Sequence, residues 1–223
     1  MAYSTLLLGS IGVLAETSDP QRRAFNTAFE MNELIWHWDA DTYRALLEVP
    51  GGKARLAHYA AQQGAEVDID KIYEDKVRAF DTALAQGIDL RPGIADLIAE
   101  AQAQNMKIGF VTGTDPRQVA GILRALEGKI SPSVFDFIGD NTLAPRAKPA
   151  PDIYNEALRT LGVTGQEALA IEDTPESAQA AVAAGIRTLA YPSENAAGRD
   201  FGAGVEVVGT PAVTLLRSAA IAA

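Results

Sequence analysis

The chain has 223 residues, of which 48% are hydrophobic and 22% are charged, and its formal net charge is -10. This length suffices for one large core, or for a core with a smaller second unit, and the composition is that of an ordinary globular protein. Because phosphate backbones select basic surfaces, the acidic balance argues against a nucleic-acid partner. Cysteine is absent, which excludes disulfides, thiol nucleophiles and thiolate metal sites, and we expect a cytoplasmic protein.

An apolar run near the N-terminus, residues 6–15 (LLLGSIGVLA), has the composition of a signal sequence. No Lys or Arg precedes it, since the first basic residue is Arg22, and the run is too short to span a bilayer. It therefore predicts a buried β-strand at Thr5–Leu8 that runs into a tight turn at Gly12, and we expect no membrane association.

The next segment has only helical patterns. Pro20 lies near a helix start with Asp19 as the expected N-cap, and Phe25 and Phe29 begin an apolar series at helical spacing. Three further helices are predicted, at 40–48, 53–63 and 68–86. Residues 16–90 thus form a predicted helical cap without a strand candidate.

From residue 91 onwards, helices and strands alternate. Strands are predicted at 107–112, 134–139, 168–171, 186–190 and 205–208. Helices are predicted at 94–104, 117–126, 151–161, 175–184 and 212–220. This alternation indicates right-handed crossovers and a parallel sheet. Because the first strand can be buried only in that sheet, the core is predicted to comprise residues 1–15 and 91–223, with the cap inserted between them.

Several stretches together resemble one family. They are LAETS at 14–18, RRAFN at 22–26, GGKARL at 51–56, LRPGIADLIAEA at 90–101, VTGT at 111–114, AKPAPDIY at 147–154 and IEDTPESAQAAVAAG at 171–185. The chain resembles the haloacid dehalogenase superfamily over essentially its whole length, and within it the CbbY-like sugar-bisphosphate phosphatases. The resemblance implies an α/β fold: a Rossmann-like parallel sheet with an inserted helical cap.

In that family the first strand ends in the motif Asp-x-Asp-Gly-Thr. The first Asp attacks the phosphorus and binds Mg²⁺, and the second serves as general acid and base. The corresponding residues here are Gly9 and Ile11, and Val13 replaces the Thr. Ser10 could attack in principle, but no His or Lys is positioned by the sequence to activate it. In the family pattern the side chain at position 10 points away from the substrate.

The remaining site positions match the family. The resemblance implies phosphate binding by Thr112, Gly113 and Lys148, a Mg²⁺ shell completed by Glu172 and Asp173, and a cap-side substrate pocket with Glu16, Arg22, Lys53 and Arg55. Because only two carboxylates are left, we expect Mg²⁺ to bind weakly in the absence of a ligand. We still expect phosphate to bind, since the lost carboxylates would repel it and Lys148 attracts it.

Structural interpretations compete with these roles. Thr112 could simply end a strand, Lys148 could be a solvated loop lysine, and the acidic pair could cap the next helix. The Gly51–Gly52–Lys53 segment could hold a phosphate or merely break a helix. Four aromatic residues of the cap are expected to be structural: Trp36 and Trp38 in its core, and His37 and His58 without metal-ligand spacing.

The leading functional hypothesis is a phosphatase homologue that binds a phosphorylated small molecule of the sugar-phosphate type without efficient hydrolysis. Loss of a covalent nucleophile costs on the order of 10⁴–10⁶ in turnover. Two alternatives are an active phosphohydrolase that uses a non-standard residue and a structural or interaction protein with relic pocket residues. The sequence identifies no protein partner.

Overall fold

The computed structural model describes residues 3–49 and 51–217. Its strands are β1 (Thr5–Leu8), β2 (Lys107–Val111), β3 (Phe137–Gly139), β4 (Ala168–Glu172), β5 (Arg187–Ala190) and β6 (Glu206–Val207). Its α-helices are α1 (Ile11–Leu14), α2 (Ser18–Met31), α3 (Ala40–Leu46), α4 (Gly52–Gln62), α5 (Ile69–Leu84), α6 (Ile94–Ala103), α7 (Pro116–Ala125), α8 (Asp152–Leu161) and α9 (Pro175–Ala183). Short 3-10 turns lie at Pro132–Val134, Gly165–Glu167, Glu194–Ala196 and Val213–Arg217. None of the described helices is long and apolar enough to cross a membrane.

The six strands form one parallel sheet in the order β3-β2-β1-β4-β5-β6. Strand β1 lies in the middle, where Thr5 pairs with Lys107 on one side and with Ala168 on the other. All residues of β1 and β4 are buried, as expected for strands that are covered on both faces. The predicted α/β fold with a parallel sheet is confirmed.

The strand order reverses at β1, because the chain continues to β2 and β3 on one side and to β4, β5 and β6 on the other. In such sheets the crevice beyond the carboxyl ends of the strands at this switch point is the usual ligand site. The residues that end or follow β1, β2 and β4, namely Gly9, Thr112 and Glu172, are therefore neighbours at one edge of the sheet.

Helix α8 packs on this sheet through buried residues that begin in its first turn. Tyr154 is fully buried in a core cluster that also contains Leu7, Val111 and Ala170 from the three central strands. This packing fixes the direction of the Tyr154 ring and brings its hydroxyl to the carboxyl edge of the sheet.

The described residues divide into two compact units, one with the chain up to Glu16 and from Ile88 onwards, the other Thr17–Gly87. The elements described in the second unit are the helices α2 to α5. Its core is aromatic: the fully buried Trp38 lies 4.6 Å from Phe25 and 5.0 Å from Phe29 between ring centroids. Trp36 packs edge-on against the same cluster, so both tryptophans have core positions.

The start of α2 differs from the sequence prediction. The helix begins at Ser18 with Thr17 at the N-cap position, so the prediction that Asp19 is the N-cap is wrong. The Asp19 carboxylate instead forms ion pairs with Arg22 and Arg23 one turn further on. An acidic residue in the first turn still interacts favourably with the helix dipole.

Two other segments also differ. The residues around Gly12 form the single helical turn α1 rather than a tight turn. The helix predicted at 212–220 is a 3-10 turn at Val213–Arg217, and residues 218–220 lie outside the described part of the chain. Pro211 precedes this turn, and its β-branched residues Val213 and Thr214 are weak helix formers.

Asp75 on α5 is a buried carboxylate of the helical unit that has three side-chain partners. Its side chain is only 4% exposed, accepts a hydrogen bond from Asn32 Nδ2 at 2.8 Å, and forms ion pairs with Lys71 and Arg78. The hydrogen bonds from Asn32 and Arg78 lower the pKa of Asp75 from 3.8 to about 2. The ionised carboxylate thus connects α5 to the end of α2.

We expect Asp75→Asn to lower the urea midpoint of unfolding at pH 7. A carboxyl group with a depressed pKa stabilises the folded state above about pH 4 and loses this contribution as the pH falls towards about 2. The difference from the wild type should therefore shrink between pH 5 and pH 3, which equilibrium urea titrations would measure. Asp41→Asn, which removes a 91% exposed partner of Arg44, should leave the midpoint unchanged. Equal midpoints for Asp75→Asn and the wild type would contradict the assignment.

Candidate functional site

Beyond β1 the chain passes through Gly9 and Ser10 into α1. Gly9 N–H donates to the Ile171 carbonyl at 2.9 Å, which extends the β1–β4 ladder by one bond. The side chains of Ile11 and Val13 are buried. The resemblance implies aspartates at positions 9 and 11. In the structure, position 9 thus has no side chain and position 11 has a buried apolar one.

Lys148 reaches this edge from the loop between β3 and α8. Arg146 anchors the loop, because its guanidinium forms a bidentate ion pair with Asp152 at 2.6 and 3.0 Å. The Lys148 ammonium donates to the carbonyls of Gly9 and Val111, the latter at 3.0 Å, and to Glu172 Oε1 at 2.6 Å. An ammonium has three N–H donors, so all of them are used. The interpretation of Lys148 as a solvated loop residue is wrong, since its side chain is only 10% exposed.

Glu172 is the last residue of β4, and its side chain is fully buried. Besides the Lys148 ammonium, Oε1 accepts a hydrogen bond from the Tyr154 hydroxyl, and Oε2 accepts one from Ser10 Oγ at 3.1 Å. Burial, followed by the charge of Glu172, raises the pKa of Tyr154 well above its usual value, so the phenol remains a donor. The buried carboxylate is therefore both paired and fully hydrogen-bonded, as burial of a charge requires.

The Glu172 carboxylate and the Tyr154 hydroxyl occupy the space next to Gly9. A Cβ atom built on Gly9 would lie less than 3.0 Å from the carboxylate carbon of Glu172 and from the phenolic oxygen of Tyr154. Real Cβ atoms essentially never approach other atoms so closely. Any side chain at position 9 therefore requires both groups to move.

Asp173 follows Glu172 and is 7% exposed. Burial, followed by the neighbouring charge of Glu172, raises the pKa of Asp173 from 3.8 to about 6. Its Oδ1 atom contacts Ser10 Oγ, and Gly12 leaves room for Oδ2, since a Cβ there would approach it within 3.0 Å. The single hydrogen of the Ser10 hydroxyl is thus shared between the two carboxylates.

The Ser10 side chain, which the family pattern directs away from the substrate, contacts both carboxylates through its hydroxyl. The backbone at Ser10 is extended, with φ -159° and ψ 168°.

The acidic pair does not cap the following helix. Thr174 is the N-cap of α9, and its hydroxyl accepts a hydrogen bond from Ser177 N at 3.4 Å. The capping interpretation of Glu172 and Asp173 is therefore wrong, and both carboxylates face the end of β1.

Thr112 and Gly113 follow β2 at the same edge. Thr112 is buried, and its hydroxyl oxygen accepts a hydrogen bond from Thr114 N at 3.1 Å, which orders the turn beyond the strand. Gly113 is exposed, and a Cβ on it would meet nothing within 4 Å. The turn thus has one buried residue that holds its shape and one open position beside it.

The basic residues predicted for the substrate pocket lie in the helical unit, where each has a partner. Arg22 donates to the Trp38 carbonyl at 3.0 Å and pairs with Asp19. Lys53 forms an exposed ion pair with Asp70. Each of these cations therefore also has a structural role.

Arg55 and the preceding glycines hold helix ends together. The buried Arg55 donates to the carbonyls of Leu46 at 2.9 Å and Val49 at 3.2 Å, at the end of α3. Gly51, with φ 87°, is the N-cap of α4, which continues through Gly52 and Lys53. This geometry favours the helix-boundary interpretation of the glycine pair.

Glu16 belongs to the other unit, and the histidines lie on the surface. Glu16 Oε2 accepts a hydrogen bond from Glu194 N at 2.8 Å, in the segment after β5. His37 and His58 are exposed, and a ring nitrogen of His58 lies 2.9 Å from Gln62 Nε2.

Sequence reasoning assigned no role to two residues that organise the site. Tyr154 lies in the AKPAPDIY stretch and bonds to Glu172. Arg91, in the LRPG stretch, donates to the carbonyls of Gly12 at 2.6 Å, Tyr191 at 2.9 Å and Pro192 at 2.6 Å. It thereby ties the loop after β1 to the loop after β5. Both residues have polar side chains and lie inside stretches that resemble the family, and this combination could have identified them from the sequence.

These residues do not fit the Mg²⁺ site that the resemblance implies. In the part of the chain that the structure describes, no three His, Cys, Asp or Glu side chains lie close enough together to hold a metal ion. The Glu172 carboxylate is engaged by Lys148, Tyr154 and Ser10, and Asp173 shares the Ser10 hydroxyl. The protein's own donors thus occupy the oxygens that a metal ion would need.

We expect Gly9→Ala to destabilise the protein by about 1–3 kcal/mol, because the added methyl group forces Glu172 and Tyr154 out of their positions. Gly113→Ala is the matched control, since the same methyl group there enters open space and should leave stability within about 0.5 kcal/mol. Urea denaturation of both variants measures the difference. A Gly9→Ala variant as stable as Gly113→Ala would show that the space beside Gly9 is not filled.

We expect Asp173→Asn to be more stable than the wild type at pH 8, by about 1–3 kcal/mol, because it removes the cost of ionising a buried carboxyl group. A raised pKa gives stability that is complete below about pH 4 and is lost as the pH rises through about 6. The advantage of the variant should therefore disappear as the pH falls towards 4. Urea titrations across this range, with the exposed Asp89→Asn as control, test the prediction. An advantage that does not change with pH would refute it.

Comparison with known proteins places this geometry in a family. Residues 4–185 match the model of the haloacid dehalogenase-like hydrolases. Protein CbbY of Cereibacter sphaeroides is 40% identical over 185 residues, which cover 81% of this chain and 80% of that protein. Protein CbbY of Rhodobacter capsulatus is 34% identical over 207 residues, 91% of each protein.

Solved structures agree. The crystal structure of a CbbY mutant from Rhodobacter sphaeroides in complex with xylulose-(1,5)bisphosphate is 36% identical, with a TM-score of 0.83 over 93% of this chain and 94% of that chain. The structure of CbbY from the same organism in complex with phosphate matches equally well. A putative β-phosphoglucomutase from Thermotoga maritima, at 20% identity and a TM-score of 0.74 over 96% of this chain and 97% of that chain, shares the fold. The chain therefore belongs to the haloacid dehalogenase-like hydrolases, and within them to the CbbY-like branch.

Proposed function

We propose that this chain binds a phosphorylated sugar at the carboxyl edge of its sheet and hydrolyses it poorly or not at all. The observation that carries the proposal is the filled space beside Gly9, where the family motif has its attacking carboxylate. The chain would then be a binding protein built on a phosphatase fold.

Glu172 cannot replace the missing nucleophile. Its side chain is fully buried, and its oxygens accept hydrogen bonds from Lys148, Tyr154 and Ser10. An attacking carboxylate needs an accessible oxygen aimed at phosphorus, and the Glu172 carboxylate is inaccessible because it is fully buried. The position of the family's second aspartate is the buried Ile11, which cannot move a proton.

Binding is supported by the relative that is crystallised with xylulose-(1,5)bisphosphate and by the groups at the edge of the sheet. The Lys148 ammonium and the open turn at Gly113 supply a cation and accessible backbone. Because the three donors of Lys148 are in use, a phosphate oxygen must replace one of its acceptors, and this exchange limits the affinity.

A second candidate is phosphoryl transfer to Ser10, which the contact between Ser10 Oγ and Asp173 favours. The hydroxyl proton would pass to the Asp173 carboxylate while the Oγ–P bond forms. The ester P–O bond would break, and the leaving alkoxide would take the proton from Asp173. The buried charge of Glu172 beside Ser10 repels an incoming phosphoryl group, so we rank this reaction second.

We expect a sugar mono- or bisphosphate at about ten times its Kd to raise Tm by about 3–6 °C, since this saturation adds about 1.4 kcal/mol to the stability of a chain of this size. Phosphate release with Mg²⁺ present should equal that of Asp173→Ala, which controls for contaminating phosphatases. Thermal-shift and phosphate-release assays on one panel of sugar phosphates test both parts.

The outcomes separate the hypotheses. Turnover that disappears in both Asp173→Ala and Ser10→Ala, together with an acid-stable phosphoserine, would establish the Ser10 reaction instead. A thermal shift that is absent for the whole panel at millimolar ligand would contradict binding and favour the structural or interaction role. Lys148→Ala tests whether this lysine takes part in binding. Lys129→Ala, which removes an exposed cation paired with Asp89, is its control for non-specific effects of charge.

A further inference from the structure

Three oxygens of the chain surround Lys148 Nζ. Two are main-chain carbonyls, of Gly9 and of Val111 at 3.0 Å, and the third is Glu172 Oε1 at 2.6 Å. The carbonyls come from the ends of β1 and β2, and the carboxylate comes from the end of β4. These three oxygens, which we call the cage, therefore surround a cation that the chain itself supplies, the Lys148 ammonium.

The Lys148 ammonium is held tightly in this cage. The chain on both sides of the loop is constrained, by the Arg146–Asp152 ion pair and by the packing of Tyr154 in the core. The ammonium also lies 5.0 Å from the centroid of the Tyr154 ring, which adds a favourable cation–π contact. If the ammonium left the cage, the buried charge of Glu172 would lose the cation that pairs with it.

A divalent ion would need the same oxygens. Mg²⁺ requires near-octahedral oxygen ligands at about 2.0–2.1 Å, and only Glu172 and Asp173 could supply carboxylates here. Glu172 shares its oxygens among three protein donors, and any ion bound by it would lie next to the positive charge of Lys148. Gly9 provides no carboxylate to offset that repulsion.

We infer that the Lys148 ammonium takes the place of the divalent metal ion in this site, so that the protein binds anionic ligands without Mg²⁺. The inference that Lys148 takes the place of the metal ion depends only on the contacts in the cage. The statement about anionic ligands rests on the proposed function.

Electron paramagnetic resonance titration of the full chain with Mn²⁺ tests the cage. Three proteins are compared: the wild type, Lys148→Met, and Lys129→Met, which removes the same charge from an exposed ion pair. The wild type and Lys129→Met should bind Mn²⁺ only weakly. Lys148→Met should bind it at least tenfold more tightly, because the Glu172 carboxylate and the carbonyls of Gly9 and Val111 then lack a cation.

Two results would overturn the inference. One is stoichiometric binding of Mn²⁺ by the wild type with the affinity of Lys148→Met. The other is a folded Lys148→Met protein, as judged by circular dichroism, that gains no affinity over Lys129→Met. If Lys148→Met does not fold, Lys148→Gln replaces it, and the wild-type titration still decides whether the native site accepts a divalent ion.

Inorganic phosphate is the probe for the anionic ligand. Its thermal shift should be the same in buffer with EDTA as in buffer with Mg²⁺, and a shift that appears only with Mg²⁺ would overturn the inference. Absence of a shift in both buffers, with no Mn²⁺ binding by the wild type, would contradict phosphate binding and the proposed function while leaving the cage intact.

Discussion

The buried carboxylate of Glu172 determines the arrangement of the whole edge of the sheet. A charge without access to water must be paired and hydrogen-bonded, and three side chains from different segments meet this requirement: Lys148, Tyr154 and Ser10. Each of them has little freedom, because the loop of Lys148 is anchored, Tyr154 is in the core and Ser10 follows a central strand. Gly9 completes the arrangement, since only a residue without a side chain leaves room for the carboxylate.

The parallel sheet makes this convergence possible. Strand β1 lies between β2 and β4, so the chain segments that leave these strands meet at one edge although long stretches of sequence separate them. Arg91 extends the same set of contacts to the loop after β5, with its guanidinium 3.5 Å from the centre of the Tyr191 ring. The site is therefore assembled from main-chain carbonyls and side chains that the fold itself positions.

Periodicity and strand–helix alternation were sufficient to predict the fold. The parallel sheet and the order of its elements follow from short apolar runs such as Thr5–Leu8, which can be buried only between neighbouring strands. For the site, the family resemblance implied roles for Lys148, Glu172 and Asp173, and the structure brings these side chains together with Gly9 and Ser10. The partners were not predictable, because pairing between Tyr154 and Glu172, or the direction of Ser10 Oγ, depends on backbone angles and packing rather than on spacing. The N-cap of α2 was missed because Asp19 and Thr17 are both good capping residues, and in the structure Asp19 pairs with Arg22 and Arg23 inside the helix.

Gly9 and Glu172 depend on each other, and this determines what a carboxylate at position 9 would require. An aspartate at position 9 would place a third carboxylate against Glu172 and Asp173, where Lys148 is the adjacent cation. The new charge could be accommodated only if Glu172 moved. That movement would break the hydrogen bonds from Tyr154 and Ser10 to Glu172, and Lys148 would have to pair with another group. A metal ion could offset the added charge, but it would need the oxygens that Lys148 now holds. Replacing Gly9 alone would therefore not create room for a carboxylate. The surrounding carboxylate, phenol and ammonium groups already hydrogen-bond to one another and would have to rearrange.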